Sequence, residues 1–216
     1  FAPCNDRSCE FDISDFFDDK APMSFRPKYD AEGDPEVQHA FVKNFELSCG
    51  EVIEEVRLGY CVFGDNPQNP IVILHPALTG SPKAWTGGKQ SQGDGWWTHC
   101  IGEGLLLDPN EFTIICVDHL GGNGDSSSAE ELKEYRDKLS FADSSLLVSQ
   151  VLKENGVDSI FAATGGSIGG GQVYGWLFQE NVKVGSILEI SGSASQNLIA
   201  EEFFQIQADL LWSDGK

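Results

Sequence analysis

Residues 159–171 read SIFAATGGSIGGG, and this stretch decides how the chain folds. A short apolar run leads into the pattern Gly-x-Ser-x-Gly, formed by Gly165, Ser167 and Gly169, and a helical stretch follows. In this strand–turn–helix context the pattern is typical of a nucleophile elbow. The turn is so tight that side chains at 165 and 169 would collide with the neighbouring strand and helix. The sequence therefore predicts that Ser167 is held in a strained conformation above a sheet.

A phosphate-binding loop is the second interpretation of the same glycines. Such a loop follows the first strand of its unit and has an acidic residue about 20 positions further on. Here the glycines follow the fourth or fifth predicted strand, and Glu189 ends a strand of different register. The nucleophile elbow is therefore favoured.

The rest of the chain alternates between strands and helices. Continuous apolar runs, typical of strands buried on both faces, lie at 70–75, 112–118, 159–163 and 184–190. Residues 41–47 and 52–63 predict an antiparallel pair ahead of them. Helices are predicted after Ser140, with an acidic residue three places after this cap, and over residues 168–178. This order predicts an α/β-hydrolase fold, a mostly parallel doubly wound sheet opened by an antiparallel hairpin.

Composition limits the class of partner. The 216 residues are 40% hydrophobic, which is enough for one sizeable core. The formal net charge of −20 would repel phosphate backbones and anionic lipids, so neither nucleic acid nor a membrane is expected as a partner. No run of 18 apolar residues is present, so membrane insertion is not expected.

The six cysteines form no Cys-x-x-Cys pair and no cluster with zinc spacing, so no metal site is predicted. Cys61 and Cys116 lie inside apolar runs and are predicted to be reduced core residues. A reducing, cytoplasmic compartment is the expectation. The chain begins at Phe1 rather than Met, so an organelle is the alternative if a presequence has been removed.

The loop His75-Pro76-Ala77-Leu78-Thr79-Gly80 follows the first fully buried strand. In α/β-hydrolases this loop supplies one backbone N–H of the oxyanion hole, and the residue after the nucleophile supplies the other. The predicted donors are Leu78 and Ile168, with Thr79 and Gly80 as substrate contacts. His75 precedes Ser167, whereas the base of this fold follows the nucleophile, so His75 is predicted to be a packed histidine.

Two further segments are candidates for the site. Trp96 and Trp97, after Gly95, fit either core packing or a wall of the substrate entrance. Residues 118–126 form a loop at the carboxyl end of a strand, where ligands bind in such sheets. His119 in this loop is predicted to have no role in proton transfer.

Together these motifs resemble the homoserine O-acetyltransferase family of α/β-hydrolase-fold acyltransferases. The resemblance covers about residues 45–212 and is most specific in the combination of residues 75–80, 95–97 and 165–170. It implies ping-pong transfer in which Ser167 takes an acetyl or other acyl group from acyl-CoA as co-substrate. A small hydroxyl acceptor such as homoserine then receives the group, and no bound cofactor is needed. By analogy, the family also implies a homodimer.

The chain departs from this family in three ways. Where the family has an arginine facing the carboxylate of the acceptor, this chain has Gln205 or Ile206, which argues against homoserine itself. The segment after Gly122 is shorter, and Asp118 is closer to the esterases of the fold. No histidine follows Ser167, so the acid and base of a triad would lie beyond residue 216 or on a second chain that completes the fold.

We therefore expect residues 1–40 to form an acidic, irregular N-terminal arm. Residues 41–216 are expected to be the N-terminal portion of an α/β-hydrolase domain, incomplete at its C-terminal edge. The first functional hypothesis is an O-acyltransferase, and the second is an esterase or other hydrolase of the same fold. The third is a non-catalytic relative that serves as a structural or assembly subunit, whose uncovered sheet edge would need a partner.

Overall fold

The structure is a computed structural model that describes residues 25–31, 33–86, 95–193, 195, 202, 205–206 and 209. Most of the predicted N-terminal arm and residues 196–197 of the family resemblance lie outside the described residues. The division into an arm and a domain therefore stays a prediction.

A single sheet of six strands organises the described part of the chain. Its strands are β1 (Gln38–Glu46), β2 (Val52–Phe63), β3 (Ile71–His75), β4 (Thr113–Val117), β5 (Ser159–Gly166) and β6 (Lys183–Ile190). The spatial order is β1-β2-β4-β3-β5-β6. β2 pairs antiparallel with both β1 and β4, and the remaining pairs are parallel. The mostly parallel sheet opened by an antiparallel hairpin is confirmed.

The central strands are buried on both faces, as their continuous apolar sequences predict. Every residue of β3 and of β4 is buried. Ile73 packs into the cluster on the helical side of the sheet, and Leu74 packs into a second cluster on the other side. Each such aliphatic side chain contributes about 1.5–3 kcal/mol on leaving water. Because both faces of β3 and β4 are covered, a ligand can approach these strands at the loops that follow their carboxyl ends.

The β2–β4 pairing places the two buried cysteines opposite each other. Cys61 and Cys116 are register partners, and both are fully buried free thiols. Burial raises the pKa of Cys61 to about 12, so the thiol stays protonated. Their assignment as reduced core residues is confirmed.

The first helix, α1 (Phe141–Glu154), begins with the capping box that the sequence predicts. The backbone N–H of Ser140 donates to Oδ2 of Asp143 at 2.7 Å, and Asp143 is fully buried. The other oxygen of Asp143 accepts the backbone N–H of Ser48 at 2.6 Å. This one carboxylate therefore joins the turn between β1 and β2 to the start of α1.

Two sequence predictions near Ser167 need correction. The strand predicted to end at residue 163 continues to Gly166, because pairing with β3 and β6 continues through the glycines. The helix predicted over residues 168–178 is α-helical only in α2 (Ile168–Val173), and a 3₁₀ turn (Tyr174–Leu177) follows. In this turn a Cβ on Gly175 would lie 2.8 Å from the Cα of Ala142, so the turn packs directly on α1. Of the helices in the described ranges, none is both long and apolar enough to cross a bilayer.

Candidate active site

Ser167 occupies a sharp turn between β5 and α2. Its backbone dihedrals are φ 55° and ψ −116°, a sparsely populated region that costs a non-glycine residue about 1–3 kcal/mol. The N–H of Ser167 donates to the carbonyl of Ile190 at 2.9 Å, and its carbonyl accepts the N–H of Gly171 at 3.1 Å. The residue is exposed. The predicted strain is therefore present, with the side chain at the accessible edge of the sheet.

The two flanking glycines are required by close backbone approach. A Cβ on Gly165 would lie 2.5 Å from the carbonyl oxygen of Gly169. A Cβ on Gly169 would lie 2.3 Å from the carbonyl oxygen of His75 and 2.4 Å from that of Pro76. The predicted collisions are confirmed. They also show that the start of α2 lies directly against the end of β3, which brings Ser167 near the loop that follows β3.

That loop is a turn closed by the N–H of Gly80, which donates to the carbonyl of Ala77 at 2.7 Å. Leu78 is 70% exposed, and among the described residues its N–H has no hydrogen-bond acceptor. Ile168 is the first residue of α2, so its N–H has no acceptor within the helix. The two predicted oxyanion donors are both available.

A cavity of about 600 Å³ brings the predicted loop residues together. Leu78, Thr79, Gly80 and Ile168 all line it, together with residues 118–124 of the loop after β4. The lining includes Ile168 but not Ser167 itself. The cavity therefore lies beside the elbow, bordered by the loops after β3 and β4 and by the starts of α1 and α2.

The structure does not bring Trp96, Trp97 or Gln205 to this cavity. The two indoles stack on each other, with ring centroids 5.3 Å apart. Nε1 of Trp96 donates to the carbonyl of Ser81 at 2.8 Å, so the pair braces the chain just after Gly80. Gln205 is exposed, and its Nε2 donates to Asp209 at 2.8 Å.

His75 is a fully buried residue at the end of β3 rather than part of the loop. Its Nε2 accepts the indole N–H of Trp176 at 2.9 Å, so the proton of the neutral ring is on Nδ1. Burial lowers the pKa of His75 to about 3, assisted by the neighbouring His119, while the nearby Gln172 side chain acts in the opposite direction. His75 is therefore a neutral packed histidine.

Both ring nitrogens of His119 are engaged in hydrogen bonds. Nε2 lies 3.0 Å from the carbonyl oxygen of Ala77, which can only accept, so Nε2 carries the proton. Nδ1 lies 3.1 Å from Nε2 of Gln172, which can only donate. The same amide nitrogen donates to Oγ of Ser144 at 3.2 Å. No sequence signal pointed to Gln172 or Trp176, because Gln172 lies 53 residues from His119 along the chain and Trp176 lies 101 residues from His75.

The carboxylate of Asp118 holds the loop after β4 in place through hydrogen bonds to its backbone. Its Oδ2 accepts the backbone N–H of Ser126 at 2.8 Å and also that of Asp125. A Cβ on Gly124 would lie 2.4 Å from Oδ2, so the loop closes tightly around the carboxylate. In the ranges that the structure covers, no group of three or more His, Cys, Asp or Glu residues could hold a metal ion.

Sequence comparison places the chain near one group of enzymes. No family model matches it. The homoserine O-acetyltransferase of Schizosaccharomyces pombe is 31% identical over 187 residues, covering 82% of this chain and 36% of the relative. That of Pelagibacter ubique is 28% identical over 189 residues, covering 80% of this chain and 50% of the relative. The chain thus spans about half, or less, of the length of these curated relatives.

Solved structures give the same result. A homoserine O-acetyltransferase from Staphylococcus aureus matches with a TM-score of 0.69 and 25% identity, over 81% of this chain and 52% of that one. The acetyl esterase MekB matches with a TM-score of 0.64 and 25% identity, over 82% and 50%. An acetylester hydrolase from Corynebacterium glutamicum, at 24% identity and a TM-score of 0.68, shares the fold. The α/β-hydrolase fold and the resemblance to homoserine O-acetyltransferases are confirmed.

Proposed function

We propose, from the similarity to homoserine O-acetyltransferases, that this chain takes part in acyl transfer with Ser167 as the nucleophile. The observation that carries the proposal is the strained backbone of Ser167 at the accessible edge of the sheet. The free N–H groups of Leu78 and Ile168, which line one cavity beside it, support the same role. A strained, exposed serine beside two unused amide donors is the arrangement that acyl transfer requires.

In the proposed reaction Oγ of Ser167 attacks the thioester carbonyl of acetyl-CoA or another acyl-CoA. The carbon–sulfur bond breaks, the CoA thiolate takes up a proton, and an acyl-serine remains. The hydroxyl of a small acceptor then attacks this ester, the bond to Oγ breaks, and Ser167 regains its proton. The N–H groups of Leu78 and Ile168 stabilise the oxyanion in both steps, each by about 3 kcal/mol.

The base that takes the proton of Ser167 is not assigned to His75 or His119. His75 is buried and neutral, and its Nε2 is occupied by Trp176. Both nitrogens of His119 are engaged. We therefore place the base outside the described residues, in keeping with the expectation that it lies beyond residue 216 or on a second chain that completes the fold. A homodimer and a cytoplasmic location stay predictions.

The remaining substrate contacts rest on different observations. Thr79 and Gly80 line the cavity and are placed beside the acyl group. Trp96 and Trp97 are assigned to support of the loop through Ser81 rather than to the wall of the entrance. Gln205 stays a predicted contact to the acceptor.

Ester hydrolysis is the second candidate. It is favoured by the structural match to an acetyl esterase at 25% identity and by the neutral Gln205 or Ile206 where the resemblance implies an arginine. Hydrolysis uses the same acyl-serine, with water in place of the alcohol. The non-catalytic alternative is supported by β6, an edge strand in the described sheet with Leu188 52% exposed.

Reaction of the native protein, together with any polypeptide that accompanies it, with a fluorophosphonate tests the proposal, with intact mass and peptide mapping as the readout. An activated serine is phosphonylated, so we expect one adduct on Ser167 and its loss in Ser167→Ala. Ser191→Ala is the matched control, because Ser191 also follows a parallel strand, has φ 53° and is exposed. Adduct formation at both serines, or at neither, would contradict the assignment.

Incubation with acetyl-CoA then separates the two reactions. A transferase passes the acetyl group to an added alcohol, whereas a hydrolase releases acetate at the same rate with or without the alcohol. Ser167→Ala should lower either activity by at least about 1,000-fold. Intact mass of the native material shows whether a second polypeptide accompanies the chain.

A further inference from the structure

The carbonyl of Ala77 is held by two donors. It accepts the N–H of Gly80 at 2.7 Å and the Nε2–H of His119 at 3.0 Å. The bond from Gly80 closes the turn, and the bond from His119 links the turn to the loop after β4. The carbonyl therefore has a fixed direction.

This carbonyl belongs to the same peptide unit as the N–H of Leu78. The unit is planar and trans, so its N–H and C=O point in opposite directions. The bond from His119 to Ala77 therefore orients the Leu78 N–H, although His119 does not contact it. Leu78 is exposed, and among the described residues its N–H makes no hydrogen bond, so the two bonds to the Ala77 carbonyl are what orient this peptide plane.

Gln172 holds His119 in the required state. Its Nε2 donates to Nδ1 of His119 at 3.1 Å, which requires a lone pair on Nδ1 and leaves the proton on Nε2. Gln172 is 3% exposed and is fixed by a second bond, to Oγ of Ser144. It lies on α2, the helix that Ser167 caps.

We propose that Gln172 is a positioning residue that acts through His119 and Ala77 to aim the Leu78 N–H at the site of the developing oxyanion. The catalytic part of this inference rests on the proposed function, whereas the orientation of the peptide does not. This arrangement also couples two parts of the site, because α2 follows directly on Ser167 and contains Gln172, which orients the Leu78 N–H.

Nuclear magnetic resonance of the full chain tests the orientation without any activity. Long-range proton–nitrogen spectra recorded at about pH 8 should show the neutral ring of His119 with Nδ1 unprotonated and Nε2 protonated. In Gln172→Met this preference should be lost, and the Gly80 amide should exchange with solvent about 10-fold faster as the turn loosens. Gln68→Met, at an exposed glutamine in the connection between β2 and β3, is the matched control. Unchanged His119 nitrogen shifts and Gly80 exchange in Gln172→Met would overturn the proposal.

Kinetics test the catalytic part. If the Leu78 N–H no longer points at the developing oxyanion in Gln172→Met, phosphonylation and acyl transfer should slow about 10- to 100-fold, with KM for the acyl donor little changed. His119→Gln, whose amide nitrogen can still donate to Ala77, should be slowed less than His119→Phe. Equal rates for these two His119 variants would contradict the proposed positioning role. The two variants also test this role if Gln172→Met does not fold. An unmodified chain that never forms an adduct at Ser167 would refute the proposed function, while the spectra still decide the orientation.

Discussion

Gly169→Ala is the substitution for which the structure gives the sharpest prediction. The added Cβ would lie 2.3 Å from the carbonyl oxygen of His75 and 2.4 Å from that of Pro76. Ordinary carbon–oxygen contacts are about 3.3–3.6 Å, so the start of α2 and the end of β3 must separate by about 1 Å. Both neighbours are backbone atoms, and no change of rotamer can relieve the contact.

The cost of this separation has two opposing parts. Forcing an extra methyl group into a packed site costs about 1–3 kcal/mol. Alanine gains up to about 1 kcal/mol over glycine within a helix. The net expectation is a free energy of unfolding lower by about 1–2 kcal/mol. For a chain of this size that lowers Tm by about 2–8 °C.

Thermal unfolding followed by circular dichroism measures the shift, and Gly166→Ala is the matched control. Gly166 is one residue from Ser167, but its Cβ would have only one neighbour, the Ile190 carbonyl oxygen at 3.8 Å. Its effect should stay within about 0.5 kcal/mol. The 1 Å displacement should also slow phosphonylation of Ser167 about 100-fold in Gly169→Ala. Equal stability of the two variants, or a Gly169→Ala protein that reacts as fast as the unmodified one, would show that residue 169 does not press against the end of β3.

Two further predictions concern buried polar groups. The folded-state pKa of His75 is about 3, below the ordinary value of 6.5. Between pH 3 and pH 6.5 the histidine is therefore protonated in the unfolded chain and neutral in the folded one, so the free energy of unfolding falls as pH falls. This group should lower the free energy of unfolding by about 2 kcal/mol between pH 8 and pH 5, and His75→Gln should reduce the pH dependence by that amount in denaturant titrations. Asp143→Ala removes the acceptor of the Ser140 and Ser48 N–H groups and should cost about 2–3 kcal/mol by urea unfolding. Asp143→Asn, which keeps one acceptor oxygen, should cost less, and equal losses in the two variants would contradict this assignment.

The strands were predictable because their signal is local. The run predicted at 70–75 is β3 (Ile71–His75), and the run at 112–118 is β4 (Thr113–Val117). Each is apolar on both faces, and burial of both faces is what such a run requires. The start of α1 was predictable for a similar reason, since its capping box is contained in four consecutive residues.

The order of strands and the polar contacts were not predictable, because they depend on residues far apart along the chain. Nothing in the sequence of β4 indicates that it lies between β2 and β3. His75 was predicted to be packed, but its partner Trp176 belongs to a turn after α2. The end of β5 was missed because glycines weaken a strand signal, while here they extend the ladder to Gly166.

The backbone around Ser167 favours a reactive residue over a merely structural turn. Residues 165–171 contain five glycines, yet none of those five has a positive φ. The one residue of this stretch with a positive φ is Ser167, at 55°. Glycine would adopt this conformation without the strain of about 1–3 kcal/mol that a serine bears. The glycines thus lie where space is short, and a serine lies where the backbone conformation favours glycine. The exposed hydroxyl of Ser167 makes no hydrogen bond among the described residues, so it does not offset this strain by stabilising the fold. This arrangement supports the proposal that Ser167 acts as a nucleophile through its Oγ.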